Sequence, residues 1–355
     1  MNDTNQKSWK QRTKFVVKLV ILMLVVWGIY RAGRNAANEW SRRTSELKDK
    51  VAQLETSISK AERGSTDALV LEAELQQTNK ELGSLSQVSL GWLAVAGVLY
   101  ILGLLPSWWF WHRAMIEMGQ APSPQQSLWA YFLGHLGKYV PGKAMVVILR
   151  STAVSGEKVR TSAAALAVFV ETLTMIVVGG CVGALILAIV AKQLWLSLLA
   201  SGIVIVASIP LAPAVFQRLI RVAGKRSITQ DLEKWIGALD HRFLVGGWLS
   251  IGLGWFLLGG SLWATMRALP AVELSDIATS WLIATGCAAV ALVGGFVSLL
   301  PGGLGVREWV VMAVLTPRYG PIAGFAAAGL LRLVWLTSEL VVCAVLWLAG
   351  FRRKE

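Results

Sequence analysis

Acidic side chains are scarce in this chain: 21 Asp and Glu stand against 34 Lys and Arg among 355 residues, and charged residues make up only 15%. An average soluble domain carries about 25%, so much of the chain has too little charge to face water. Histidine is limited to His112, His135 and His241, and the cysteines Cys181, Cys287 and Cys343 each lie inside an apolar run. That placement excludes a disulfide framework and a thiolate metal site. The chain has no HExxH, no GxSxG, no phosphate loop and no paired-carboxylate metal motif. General acid–base chemistry would rest on His135 alone. We therefore expect no catalytic residue, no bound metal, no cofactor and no enzymatic activity.

What is present is apolar: 55% of residues are hydrophobic and 17 are tryptophan. Runs at 15–30, 89–110, 162–190, 194–216, 243–264, 277–300 and 322–348 approach the ~20 residues that a membrane-spanning helix needs. The net charge of +13 falls in short clusters beside these runs, as positive-inside flanks do. No continuous basic face exists, so nucleic acid is not expected as a partner. The first run follows Lys7, Lys10, Arg12 and Lys14 and precedes a charged segment rather than a cleavage site. That arrangement places the amino terminus in the cytoplasm of a multi-pass protein of the cytoplasmic membrane. Trp108, Trp109 and Trp111 beside Arg113 read as an interfacial belt, with a cage for a choline-type head group as the alternative.

Between the first two runs, residues 32–87 are polar and helical in pattern. Leu47, Val51, Leu54, Ile58 and Ala61 form one seam, and Ala68, Leu71, Leu75, Thr78, Leu82 and Leu85 form another out of phase with it. Gly64 can end one helix, and Ser65, Thr66 or Asp67 can cap the next. The expectation is an extracytoplasmic antiparallel coiled-coil hairpin whose arms continue the flanking membrane helices. Residues 1–31 then form the amino terminus and first span, and 88–355 the main transmembrane domain. The fold class is all-α: a polytopic helical bundle with two broken or re-entrant segments.

Those two segments carry the chemistry. In the first, Gly134-His135-Leu136-Gly137-Lys138-Tyr139-Val140-Pro141-Gly142-Lys143 breaks an amphipathic stretch that ends at Arg150. In the second, Pro301-Gly302-Gly303-Leu304-Gly305-Val306-Arg307-Glu308 interrupts an apolar run. Glu171, Arg332 and Glu339 lie inside the neighbouring spans. Charges at such depth cost ~2.5–3.5 kcal/mol each on insertion scales and normally face a cavity or a partner. Broken helices free backbone N–H groups and aim the positive end of a helix at the gap, which suits an anionic head group. Buried ion pairs that only fix helix packing are the plainer reading. One problem in topology remains, because an odd number of spans strands Arg352, Arg353 and Lys354 opposite the basic amino terminus. One resolution is a crossing by 303–317 as a shortened half-helix.

At these motifs the chain resembles the lysylphosphatidylglycerol synthase transmembrane-region family, also called flippase-like domain proteins. The resemblance rests on residues 137–143 with Arg150, Val170-Glu171, the run Pro301 to Glu308, and Leu331-Arg332. It covers about 88–350 and leaves the hairpin outside. It implies a bundle that moves lipids between leaflets, here without the synthase or glycosyltransferase domain joined to it in other members. The expected substrate is an anionic phospholipid or a polyprenyl-phosphate-linked glycolipid. Its binding residues would be His135, Lys138, Pro141, Gly142, Lys143, Arg150, Glu171, Pro301, Gly302, Gly303, Gly305, Arg307, Glu308 and Arg332. The rival expectation is a non-transporting scaffold whose hairpin docks a glycosyltransferase or another envelope-assembly partner.

Overall fold

The computed structural model describes residues 34, 38, 40–61, 65–139, 144–191, 230–270, 272–274, 276–298, 303 and 305–351. The expected spans at 15–30 and 194–216 lie outside these residues, as do Pro141, Gly142, Lys143, Pro301 and Gly302. Among the described residues the secondary structure is helical, with no strands. The helices are α1 (40–60), α2 (Thr66–Ser86), α3 (Leu90–Glu117), α4 (Pro124–Leu136), α5 (Ala144–Val154), α6 (Thr161–Ala191), α7 (Gln230–Gly237), α8 (His241–Arg267), α9 (Ile277–Val297), α10 (Val306–Tyr319) and α11 (Pro321–Leu348). Five of them, α3, α6, α8, α9 and α11, are long and apolar enough to cross a membrane.

Local signals set the helix starts. Ser65 Oγ accepts from Ala68 N–H, Ser123 Oγ from Gln126 N–H just before Pro124, and Asp240 from Phe243 N–H at 2.7 Å. Asp276 caps α9 through Ala278 and Thr279. The Thr279 hydroxyl, helped by these backbone donors, holds the Asp276 carboxyl below its ordinary value. The cap is therefore charged at neutral pH and is lost only as pH falls through that lowered value.

Lipid offers no hydrophobic drive between membrane helices, so close approach through small residues carries the packing. Helix α3 runs antiparallel to α8, and a Cβ on Gly254 would come 2.8 Å from the Gly103 carbonyl oxygen. Helix α8 in turn lies on α9, where a Cβ on Gly259 would meet Thr285 Oγ1 at 2.0 Å and its Cα at 2.3 Å. Helix α6 packs on both α8 and α9 through Gly179 against Trp255 and Gly183 against Val290.

The two ends of the bundle are distinct. At one end Ser89 N–H donates to Ala268 O, Lys80 pairs with Glu273 at 3.0 Å, and Trp40 stacks on Phe325. At the other, Ala121 N–H donates to Lys158 O and the Arg160 N–H donates to the Gln120 side chain. Helices α1 and α2 are tied by Lys50 to Glu74 at 2.8 Å, with Leu47, Leu54, Ala68 and Thr78 buried between them or against the bundle. Helix α2 does not run on into α3, however. Residues 87–89 leave the helix, because the Ser89 N–H turns to Ala268 instead of a carbonyl four residues back. The tryptophan belt needs a similar correction. Trp109 is 48% exposed, but Trp111 has no exposed surface and its indole N–H reaches the Ala164 carbonyl.

The glycine contacts give a direct test on one helix. Gly259→Ala should destabilise the protein by about 1–3 kcal/mol, because the added methyl meets backbone that cannot shift freely. Gly246→Ala, which meets nothing within 4 Å, should be neutral or mildly stabilising through helix propensity. Thermal unfolding of both variants in detergent checks the contrast.

Candidate functional site

Helices α4 and α5 form a helix–break–helix whose outer ends meet at one end of the bundle, where Gln126 Nε2 donates to Ala153 O. Their inner ends converge because Gly137 lacks a side chain. A Cβ there would lie 3.0 Å from the backbone of Met145 and Val146. A 3-10 turn, Gly137–Tyr139, follows α4 and carries Lys138 into the middle of the bundle.

There Lys138 meets Glu339 of α11, whose side chain has no exposed surface. The Lys138 ammonium donates to Glu339, and so do the hydroxyls of Tyr100 and Tyr139, the latter at 3.1 Å. Tyr100 is held in turn by stacking on Trp335 at 4.8 Å, and the Trp335 indole donates to Ser261. A carboxylate removed from water is tolerable only when its lone pairs are filled in this way.

The second break produces α10. With 14 residues it is about 21 Å long, short of a ~30 Å hydrocarbon core. Gly303 and Gly305 turn the chain into it at φ of 67° and 80°, a region that costs side chains with a Cβ. Gly303 is also pressed against Gly295 of α9, with a would-be Cβ 2.8 Å from its Cα. The first turn of α10 then presents Arg307 and Glu308. Glu308 accepts from Gly305 N–H at 2.9 Å and from Arg332 of α11, the reciprocal half of a capping box joined to an ion pair. Arg307 Nε is buried without a hydrogen-bond partner, and its guanidinium lies 5.9 Å from the Phe296 ring. No carboxylate pairs with Arg307 among the described residues.

These groups share one cavity of about 40 Å³, lined by Lys138, Tyr139, Arg307, Glu308 and Arg332 with Ala288, Ala291, Ala328, Trp335 and other apolar side chains. That volume holds a few waters. A lipid head group would need the walls to part.

His135, Arg150 and Glu171 form a separate, closed cluster. Arg150 and Glu171 are 4% and 2% exposed and pair at 2.9 Å. The Tyr131 hydroxyl donates to the same carboxylate, the Arg150 guanidinium lies 4.0 Å from the centre of the Tyr131 ring, and its Nη2 stands 3.1 Å from His135 Nδ1. This cluster fastens α5 to α6 and contributes nothing to the cavity lining. Glu339 lies seven residues from Arg332 along α11, yet its partner is Lys138, and Arg332 is taken by Glu308. Tyr100 and Tyr139 complete the Glu339 cluster. Sequence patterning gives no signal for Tyr100, since a tyrosine in an apolar run looks like any other aromatic, whereas Tyr139 stands inside the motif at 137–143.

The pattern of broken helices and intramembrane charges has a counterpart among known proteins. A family model described as the lysylphosphatidylglycerol synthase TM region matches residues 75–343. No curated protein matches the chain. The matched region begins inside α2, so the second arm of the hairpin belongs to it in part, and it takes in both breaks and every helix that lines the cavity. With well over half of its length matched, this multi-pass membrane protein belongs to the lysylphosphatidylglycerol synthase transmembrane-region family.

Proposed function

We propose that this protein moves an anionic lipid, a phospholipid or a polyprenyl-phosphate-linked glycolipid, between the leaflets of the cytoplasmic membrane, and that it does so without catalysing a reaction. The observation that carries this reading is Arg307, a cation on a cavity wall at the start of a half-length helix. Helix starts and arginine both favour phosphate oxygens. Lys138 and Arg332 flank the same space, each already matched by a carboxylate that would hold it in place between substrates. Arg150 and Glu171 act here as a structural pair.

The proposed orientation puts the hairpin outside and the Lys158, Arg160, Lys234 and Arg242 end in the cytoplasm, following the positive-inside rule. Helix α10 supports this. It runs from the cavity to Arg318 and Tyr319 beside Lys80 and Glu273, so α11 starts at the hairpin end and its basic tail returns to the cytoplasmic side. The short α10 thus supplies the extra crossing that the charge rule requires.

A second reading draws on the hairpin, where Leu69 and Val70 are 60% and 61% exposed on a polar arm. In it the arm docks an envelope-assembly protein and the bundle serves as its anchor.

Two measurements separate the roles. Arg307→Gln should weaken retention of a labelled anionic lipid by roughly 10–100-fold, the loss of charge-assisted hydrogen bonds worth ~1.5–3 kcal/mol, with little change in thermal stability. Arg150→Met should do the reverse, costing about 3–5 kcal/mol of stability by orphaning Glu171. Wild-type lipid movement by Arg307→Gln in reconstituted vesicles would refute the site. Shortening the arm by removing residues 51–73 should leave lipid movement in vesicles within about twofold of wild type on the first reading, a change under ~0.5 kcal/mol. Loss of cellular function in that variant with transport intact would favour the docking role.

A further inference from the structure

The charge balance of the cavity depends on a residue that does not line it. Lys138, Arg307, Glu308 and Arg332 face the space. Glu339 sits behind Lys138 with no exposed surface and accepts from Lys138, Tyr100 and Tyr139. Three cations against two carboxylates leave one net positive charge among the described residues. The matching is also spatial, with Lys138 on Glu339, Arg332 on Glu308, and Arg307 on neither.

We propose that Glu339 is a specificity-determining residue, which sets the cavity to receive a head group bearing one negative charge, a phosphodiester lipid, rather than a diphosphate. The proposal rests on the reading that this cavity takes an anionic head group. A phosphodiester brings one charge to the one unmatched cation. A diphosphate brings at least one more, which would face Glu308 and Glu339 with no cation to answer it. Inside a low-dielectric bundle an unanswered charge is expensive, because neither water nor salt screens it. Glu339 cannot turn away to make room. Three donors hold it, and one of them, Tyr100, is fixed by its stack on Trp335. Lys138 is tied to the same carboxylate, so it offers the cavity a polar surface while adding no net charge.

The test uses the purified full chain in detergent, incubated with equal amounts of dioleoylphosphatidylglycerol and a polyprenyl diphosphate, with bound lipid read by native mass spectrometry. Wild type should retain the phosphodiester in preference. Glu339→Gln raises the cavity charge by one and should move the ratio roughly tenfold or more toward the diphosphate. The Lys138→Met/Glu339→Gln double variant removes one charge of each sign and should return the ratio to near wild type. Because Glu339→Gln orphans Lys138 and could fail to fold, Glu308→Gln is run beside it. It makes the same charge change from a position that is 27% exposed, and it should shift the ratio the same way. A wild-type preference for the diphosphate, or a ratio indifferent to both glutamine variants, overturns the proposal. So does a double variant that shifts as far as the single one. If wild type retains neither lipid and Arg307→Gln changes nothing, the site reading fails and takes this proposal with it. If Arg307→Gln abolishes retention while the ratio ignores Glu339, this proposal fails alone.

Discussion

A buried carboxylate with three donors organises the centre of this molecule. Glu339 has no exposed surface and accepts from Lys138, Tyr139 and Tyr100. Those donors come from the 3-10 turn after α4 and from α3, while the acceptor comes from α11. One ionised group therefore fixes three separately placed segments to one another. The arrangement follows from solvation. A charge in a water-poor interior must collect its own shell, and the only donors available are those that the fold delivers. The broken segment after α4 is held at depth because its lysine is part of that shell.

The same constraint explains why the breaks and the charges occur together. A helix that ends inside a bundle leaves N–H and carbonyl groups without partners. At α10 the Gly305 N–H is answered by Glu308, whose other oxygen takes Arg332, so the break and the ion pair satisfy each other. Glycine contacts supply the room. Gly137 lets α4 and α5 converge, and Gly303 lets the chain pass Gly295 into α10. With bulkier residues at these points the helices would stand apart and the charges would lose their partners. Arg307 is the exception, a cavity-facing cation that the described residues leave without a counter-charge, and the proposed function begins from that exception.

Much of the architecture is legible in the sequence. Run length and hydropathy give the five described spans, because twenty apolar residues in water have no other stable home. The cap of α2 is narrowed to Ser65, Thr66 or Asp67 by residue type, and the structure selects Ser65. A short helix after the second motif, α10, is in keeping with the expectation that 303–317 forms less than a full span. The seams of α1 and α2 are visible as spacing. The discontinuity at residues 87–89 is not, because Ser89 is diverted by Ala268, a residue far away in the chain. Trp111 misleads for a similar reason: Trp109 two positions earlier is exposed, while Trp111's own position on α3 turns toward α6.

The chain alone shows a helical multi-pass membrane protein, charged residues inside or beside its apolar runs, and the family to which it belongs. Each of these depends on composition or local order, which a linear chain displays. How the charges are divided follows from the folded bundle. Arg150 pairs with Glu171 in a closed cluster, Glu339 goes to Lys138 rather than to Arg332 seven residues away, and Arg307 is left facing the cavity. Helical spacing tells which residues share a face. Which of several carboxylates a cation meets is set by helix contacts across the bundle, and those depend on glycines and tyrosines whose partners are distant in the chain.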